Sequence, residues 1–262
     1  MKKFVVRNYR IPIDRDRFPG CGPVTILLLS DLHGAFYGQD QELLTAEIRR
    51  QKPDLIIGAG DLVTLGDSAE AACTLIGRLA GDYPVYCANG NHESKMRECR
   101  EERERYLAYQ KELVRCGAKV LSNKKERLSV HGLPMEIAGL EIGLQHYRRI
   151  GAPKVTDGEM LRLLRRPSPQ VYSLLIAHNP ADFPVYAGWG ADLVLSGHMH
   201  GGYIRLPLVG GVISPQMHPF PKYDRGQFQR GKSQMIVSAG IGDHDVCFRF
   251  LNSRELPVIK LM

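Results

Sequence analysis

The chain's 262 residues are 44% hydrophobic and 24% charged, which excludes global disorder and allows a sizeable core in one domain or two. A formal net charge of +7 favours anionic partners, yet no Lys- and Arg-rich run interleaved with aromatics marks a nucleic-acid platform, so nucleic acid stays possible and unfavoured. Six cysteines, at 21, 73, 87, 99, 116 and 247, form no CxxC pair, which excludes a disulfide framework or zinc ribbon and leaves free thiols of a reducing compartment.

At the N-terminus charge returns after three apolar residues (Phe4 to Val6), so no signal-peptide core forms there. No apolar run approaches the ~20 residues that span a bilayer, and a soluble, cytoplasmic protein is expected. Val24 to Ser30 is a near-continuous apolar run that predicts a buried strand. Asp40 to Gln51 places Leu43, Leu44 and Ile48 on one helical face. Leu55 to Ala59 predicts a second strand. Ser68 is a candidate N-cap for a helix through Ala80 with Gly81 as its stop, and Val85 to Ala88 a third strand. Arg97 to Cys116 reads as a charged helix with a sparse apolar face of Tyr106, Leu113 and Cys116, ended by Gly117. Its run of Arg and Glu is a solvated face rather than a binding motif.

Arg127 to Leu144 contains two strand candidates around a Gly-Leu-Pro turn, with a second turn near Gly139. Thr156 and Glu159 form a capping box for a helix through Arg165. Val171 to Ala177, Asp192 to Ser196 and Gln234 to Ser238 predict three more strands, and Cys247 to Leu261 a closing hairpin or strand pair. No repeat, linker or low-complexity tract appears, so residues 1–262 are read as a single domain. Alternation of strand and helix early, then mostly strands, implies an α/β protein of two packed sheets flanked by helices.

Polar clusters recur at the downstream ends of these strands: Asp31-Leu32-His33, Gly60-Asp61, Asn89-Gly90-Asn91-His92-Glu93, His178-Asn179 and Gly197-His198-Met199-His200. Alone, each is an ordinary turn or cap. Strand carboxyl ends, however, are where ligands gather in sheet proteins, so the five can converge on one point. Two cations about 3.5–4 Å apart need a shared anion between them, and a carboxylate such as that of Asp61 can supply it. Imidazole nitrogens mixed with carboxylate and amide oxygens suit manganese, iron or zinc and argue against a simple magnesium or calcium site. Two divalent ions against Asp31 and Asp61 leave a cationic cluster, which attracts a phosphate ester and activates water for in-line attack on phosphorus.

The series Asp31-x-His33, Gly60-Asp61, Gly90-Asn91-His92, His178 and Gly197-His198-x-His200 resembles the calcineurin-like metallophosphoesterases. The stretch from Asp192 to Pro207 is similar to their bacterial phosphodiesterase branch, which includes cell-envelope and lipid-precursor hydrolases. The resemblance implies a four-layer αββα sandwich with two mixed β-sheets flanked by helices. It implies one metal on Asp31, His33, Asp61 and His200, and a second on Asp61, Asn91, His178 and His198. His92 would face the substrate as the catalytic residue. The expected reaction is hydrolysis of a phosphodiester or pyrophosphate bond in a small or lipid-like substrate by a metal-bound hydroxide. A phosphomonoesterase of the same fold and a non-catalytic metal-binding scaffold are the alternatives, and no protein partner is implied.

Two departures bear on substrate. Protein phosphatases of the superfamily continue the Gly-Asp motif with an Asp that orients the catalytic His and an Arg that holds phosphate. Thr64 and Leu65 stand there instead, which disfavours phosphoproteins and leaves Asp67 or a backbone carbonyl to orient His92. Membrane anchors or export signals, carried by many envelope members, are not expected from this sequence. His131, His218 and His244 match no ligand motif and are read as surface or packing residues. The loop from His146 to Arg149 could reach a substrate phosphate, and Ser238 to Asp245 could approach the site.

Overall fold

The computed structural model describes residues 3–66, 68–202, 204–206, 209–214, 219–243 and 249–262. Asp67, His218, His244, Asp245 and Cys247 lie outside the described residues. In chain order the strands are β1 (Phe4–Ile11), β2 (Val24–Leu29), β3 (Leu55–Ala59), β4 (Val85–Ala88), β5 (Lys119–Val120), β6 (Lys124–Val130), β7 (Leu133–Leu140), β8 (Tyr172–Ala177), β9 (Leu193–Ser196), β10 (Ile204–Leu206), β11 (Gly210–Ile213), β12 (Gly226–Arg230), β13 (Ser233–Val237) and β14 (Arg254–Leu261). The α-helices are α1 (Glu42–Gln51), α2 (Glu70–Leu79), α3 (Asn91–Glu98), α4 (Arg103–Arg115), α5 (Asp157–Leu163) and α6 (Phe183–Trp189).

Two six-stranded mixed sheets stack face to face, ordered β1-β14-β2-β3-β4-β5 and β12-β13-β9-β8-β7-β6, and β10-β11 forms a small separate ribbon. Three apolar layers hold the four structural layers together. Between the sheets lie Ile26, Leu28, Leu55 and Ile57 from one and Ile137, Leu174, Ile176 and Leu195 from the other. Leu27, Leu29 and Ile56, which alternate with these, turn outward onto Leu44 and Ile48 of α1 and Leu75 and Ile76 of α2. Leu175 and Val194 turn outward onto Phe183, Tyr186 and Trp189 of α6. Strands apolar on both faces are what a doubly covered sheet requires, and the αββα expectation is met.

Several boundaries differ from the sequence reading. The helix expected from Arg97 is two helices, with Cys99 in extended conformation between them. No Gly or Pro marks that break. It arises because Ser94 and Arg97 of α3 both bind the buried Glu141, while α4 has to lay Tyr106, Tyr109 and Leu113 on a different part of the core. Gly139 is not a turn but lies inside β7, where a Cβ would drive into the Leu121 carbonyl. Ser68 caps no helix; it accepts from the Glu70 amide two residues on, and α2 starts at Glu70. Thr156 caps α5 through the Glu159 amide, but the Glu159 carboxylate turns to His146 rather than closing the box. The tail is one strand, parallel to β1 and antiparallel to β2, not a hairpin. Strand β1 and helix α6 went unread, because strand β1 is half exposed and polar, and α6 is short. The five described cysteines are free thiols. No helix is long and apolar enough to cross a membrane among the described residues.

Candidate metal centre

The parallel strands β2, β3, β8 and β9 aim their carboxyl ends at one place. Asp31 and His33 follow β2, Asp61 follows β3, His178 follows β8, and His198 and His200 follow β9. Asn91 and His92 open α3 just after β4. All seven sequence-predicted ligands and His92 are buried or nearly so. Asp31, His33 and His200 form one group whose donor atoms lie within 4.8 Å of one another, and Asp61, His178 and His198 a second; His33, Asp61 and His92 connect them. Asn91 enters through the first turn of α3, where its neighbour's amide, His92 N, donates to Asp61 Oδ1 at 2.8 Å.

The backbone at this point is held in a sparsely populated conformation. Asp31, His33, Asp61, His198 and His200 all have positive φ, between 46° and 70°. Each such non-glycine residue costs on the order of 1–3 kcal/mol and persists only where surrounding bonds enforce it. At Asp61 that enforcement comes from Glu93. One carboxylate oxygen accepts from Asp61 N and Gly90 N, both at 2.9 Å, and the other from Leu62 N at 2.8 Å. Gly90 has to be glycine because a Cβ there would collide with the Asp61 carboxylate.

Second partners fix the rings. His178 Nδ1 donates to the Ala59 carbonyl at 2.6 Å, which aims Nε2 at Asp61 Oδ2, 3.0 Å away. His33 Nδ1 pairs with Thr64 Oγ1 at 2.8 Å. Thr64 therefore positions His33, rather than leaving a gap where the protein phosphatases place an Asp. Arg249 Nη2 lies 3.0 Å from His200 Nδ1 and also donates to the Gly242 carbonyl. Arginine can only donate, so His200 Nδ1 accepts and its Nε2 carries a proton towards His33 Nε2 at 3.1 Å. Asn252 Nδ2 donates to His200 O and Gly202 O, which pins the loop after β9. Tyr147 stacks edge-on against His198, with ring centroids 5.1 Å apart. Glu93, Thr64, Arg249 and Asn252 were not singled out as supports by the sequence reading. Only Glu93 had a local signal, its place three residues after Gly90 at a helix start.

The electrostatics are those of a site in which protons stand where cations could. Burial pushes Asp31 up to about 6, with His178 opposing and Asp61 adding to the rise. Burial pushes Asp61 up as well, but His178 and His92 outweigh it and hold its carboxyl well below the usual range. Burial alone would disfavour an imidazolium at His178; Asp61 and Asp31 overcome it and raise the group to about 10. Asp31 Oδ2 and Asn91 Oδ1 are buried without a hydrogen-bond partner, which is costly unless something else binds them. Mixed imidazole, carboxylate and amide donors with two such oxygens fit divalent transition metals. The remaining described histidines do other work. His131 pairs with Asp54 at 2.6 Å on the surface. His146 is buried between the Pro153 carbonyl at 2.8 Å and Glu159 at 3.0 Å.

The family model of the calcineurin-like phosphoesterases matches residues 24–202. The chain is 30% identical to the uncharacterised metallophosphoesterase YkuE of Bacillus subtilis, over 90% of this chain and 78% of that protein. It is 27% identical to the phosphodiesterase YaeI of Escherichia coli, over 91% of this chain and 82% of the relative. Among solved structures, the NAD nucleotidase (NadN) of Haemophilus influenzae superposes with a TM-score of 0.51 at 14% identity, over 84% of this chain and 46% of that one. This chain thus spans under half of that protein, and the likeness concerns the fold alone.

Proposed function

This chain belongs to the calcineurin-like phosphoesterase family, and on that premise we propose that it is a dinuclear phosphodiesterase acting through the cluster around Asp61. The observation that carries the proposal is the meeting of two donor groups, Asp31/His33/His200 and Asp61/His178/His198, at the carboxyl ends of both sheets. In this reading Asp31, His33, Asp61 and His200 hold one cation, and Asp61, Asn91, His178 and His198 the other. The bound ions, manganese, iron or zinc, would activate a water and neutralise the phosphate charge.

The chain's own residues have separate tasks. Asp61, kept anionic by its surroundings and kept in place by the Glu93 clamp, would serve both cations. Thr64 and the Ala59 carbonyl hold His33 and His178 with Nε2 turned inward. His92 stands at the N-terminal turn of α3, its ring 4.9 Å from that of His33. There it would protonate the leaving oxygen, and the amide end of the helix favours an anionic phosphate. Leu65 is 41% exposed and brings no charge, which suits a diester monoanion better than a phosphoprotein. The whole chain is taken as one catalytic domain. The test is hydrolysis of bis-p-nitrophenyl phosphate beside p-nitrophenyl phosphate by metal-stripped protein with manganese restored. Manganese-dependent turnover favouring the diester is expected. Faster turnover of the monoester would make it a phosphomonoesterase, and inactivity on both with two metals bound would sink the enzymatic reading.

A further inference from the structure

Beside the metal centre lies a cavity of about 410 Å³, lined in part by His146, Pro153, Asn179, Met199 and Tyr223. It adjoins the centre through the chain itself: Asn179 follows His178, and Met199 stands between His198 and His200. Gly151 to Lys154 form one wall and Pro221 to Tyr223 the other. Immediately outside each wall a large apolar side chain stands in water. Ile150 is 90% exposed and Phe220 65%. Neither joins any of the three cores. Phe220 N donates to Val212 O of the β10-β11 ribbon at 2.8 Å, and that ribbon region adds the exposed Leu206, Val209, Phe250 and Leu251. Ile204 of β10 bridges to Phe250.

Cations surround these apolar tips. Arg148, Arg149 and Lys154 occupy the first loop and Lys222 the second, all exposed; neither stretch, 148–154 or 219–223, contains an acid, and Lys154 lies 3.8 Å from Asp182 on the cavity wall. Grouped exposed apolar side chains mark a contact surface rather than an accident of composition. Apolar tips interleaved with Lys and Arg match the interface of an anionic bilayer, where side chains enter the acyl boundary and cations meet the headgroups. A groove for an acidic protein would not need its apolar residues raised on separate loop tips.

We propose that this rim docks on an anionic lipid bilayer, with Ile150 and Phe220 inserted and Arg148, Arg149, Lys154 and Lys222 against the headgroups. The cavity then takes the apolar part of an amphipathic phosphate ester drawn from that bilayer; this substrate class, unlike the docking, rests on the phosphodiesterase reading. Docking is tested by sedimenting the full chain with phosphatidylcholine vesicles prepared with and without phosphatidylglycerol. Binding to the phosphatidylglycerol vesicles is expected. It should fall tenfold or more in Ile150→Glu/Phe220→Glu, and by roughly fivefold for each cation removed in Arg148→Gln/Arg149→Gln. Turnover of bis-p-nitrophenyl phosphate should be unchanged in both variants. Absence of binding to phosphatidylglycerol vesicles, or equal binding by the parent and Ile150→Glu/Phe220→Glu, overturns the proposal. A parent chain that sediments with vesicles but hydrolyses no diester upholds docking and sinks the phosphodiesterase reading instead.

Discussion

Replacing Glu93 with Ala should destabilise the protein and empty its metal centre together. Three amides, Asp61 N, Leu62 N and Gly90 N, sit 2.8–2.9 Å from the Glu93 carboxylate. A buried donor stripped of its partner costs about 1–3 kcal/mol, so three cost about 3–9. Part of this is returned, because the carboxylate itself is strained by burial and by Asp61, which push it up to about 7. Against the middle of that range, about 6 kcal/mol, a relief of about 3 leaves a net loss of about 3 kcal/mol, and at about 2–4 °C per kcal/mol for a chain of this size Tm should drop by about 6–12 °C. The same loss frees Asp61 from a positive-φ conformation it does not otherwise favour, so the bridging position is no longer pre-formed. The assay is calorimetric melting of metal-stripped protein, paired with titration of manganese. Glu93→Gln, which keeps one acceptor oxygen, should fall between the parent and Glu93→Ala. A Glu93→Ala chain that melts within about 1 °C of the parent and binds manganese as tightly would refute the reasoning.

Asp61→Asn should lower occupancy of both metals by elemental analysis; loss of one alone would mean that Asp61 does not bridge. His92→Ala should keep both metals and cut turnover by roughly 10²–10⁴, and unchanged turnover would remove His92 from the chemistry. Thr64→Val should weaken metal binding about 10–100-fold through His33, while Thr64→Ser, which keeps the hydroxyl, should restore it. Metal binding should release protons, because His178 is raised to about 10 and so is cationic in the metal-free protein at neutral pH. Affinity should therefore rise with pH, and the binding heat should vary with the buffer's ionisation enthalpy. Heats independent of buffer would show that the ligands are already deprotonated.

Local sequence was sufficient for the central strands and for picking out the side chains that converge at their carboxyl ends. Val24 to Leu29, Leu55 to Ala59 and Tyr172 to Ala177 are apolar on both faces, a pattern that only a covered sheet satisfies. The candidate ligands were picked out because metal chemistry restricts residue type, and because each comes soon after the end of a central parallel strand, β2, β3, β4, β8 or β9. What only the tertiary structure decided depends on residues distant in the chain. The break between α3 and α4 is set by Glu141, more than forty residues beyond it. The tail became a single strand because β1 and β2 leave a place between them. Thr64, Arg249 and Asn252 gained their roles from the histidines they were folded against. Hydrogen-bond partners at such separations leave no periodicity or spacing in the sequence, since the bonds exist only once distant strands have paired and the sheets have stacked.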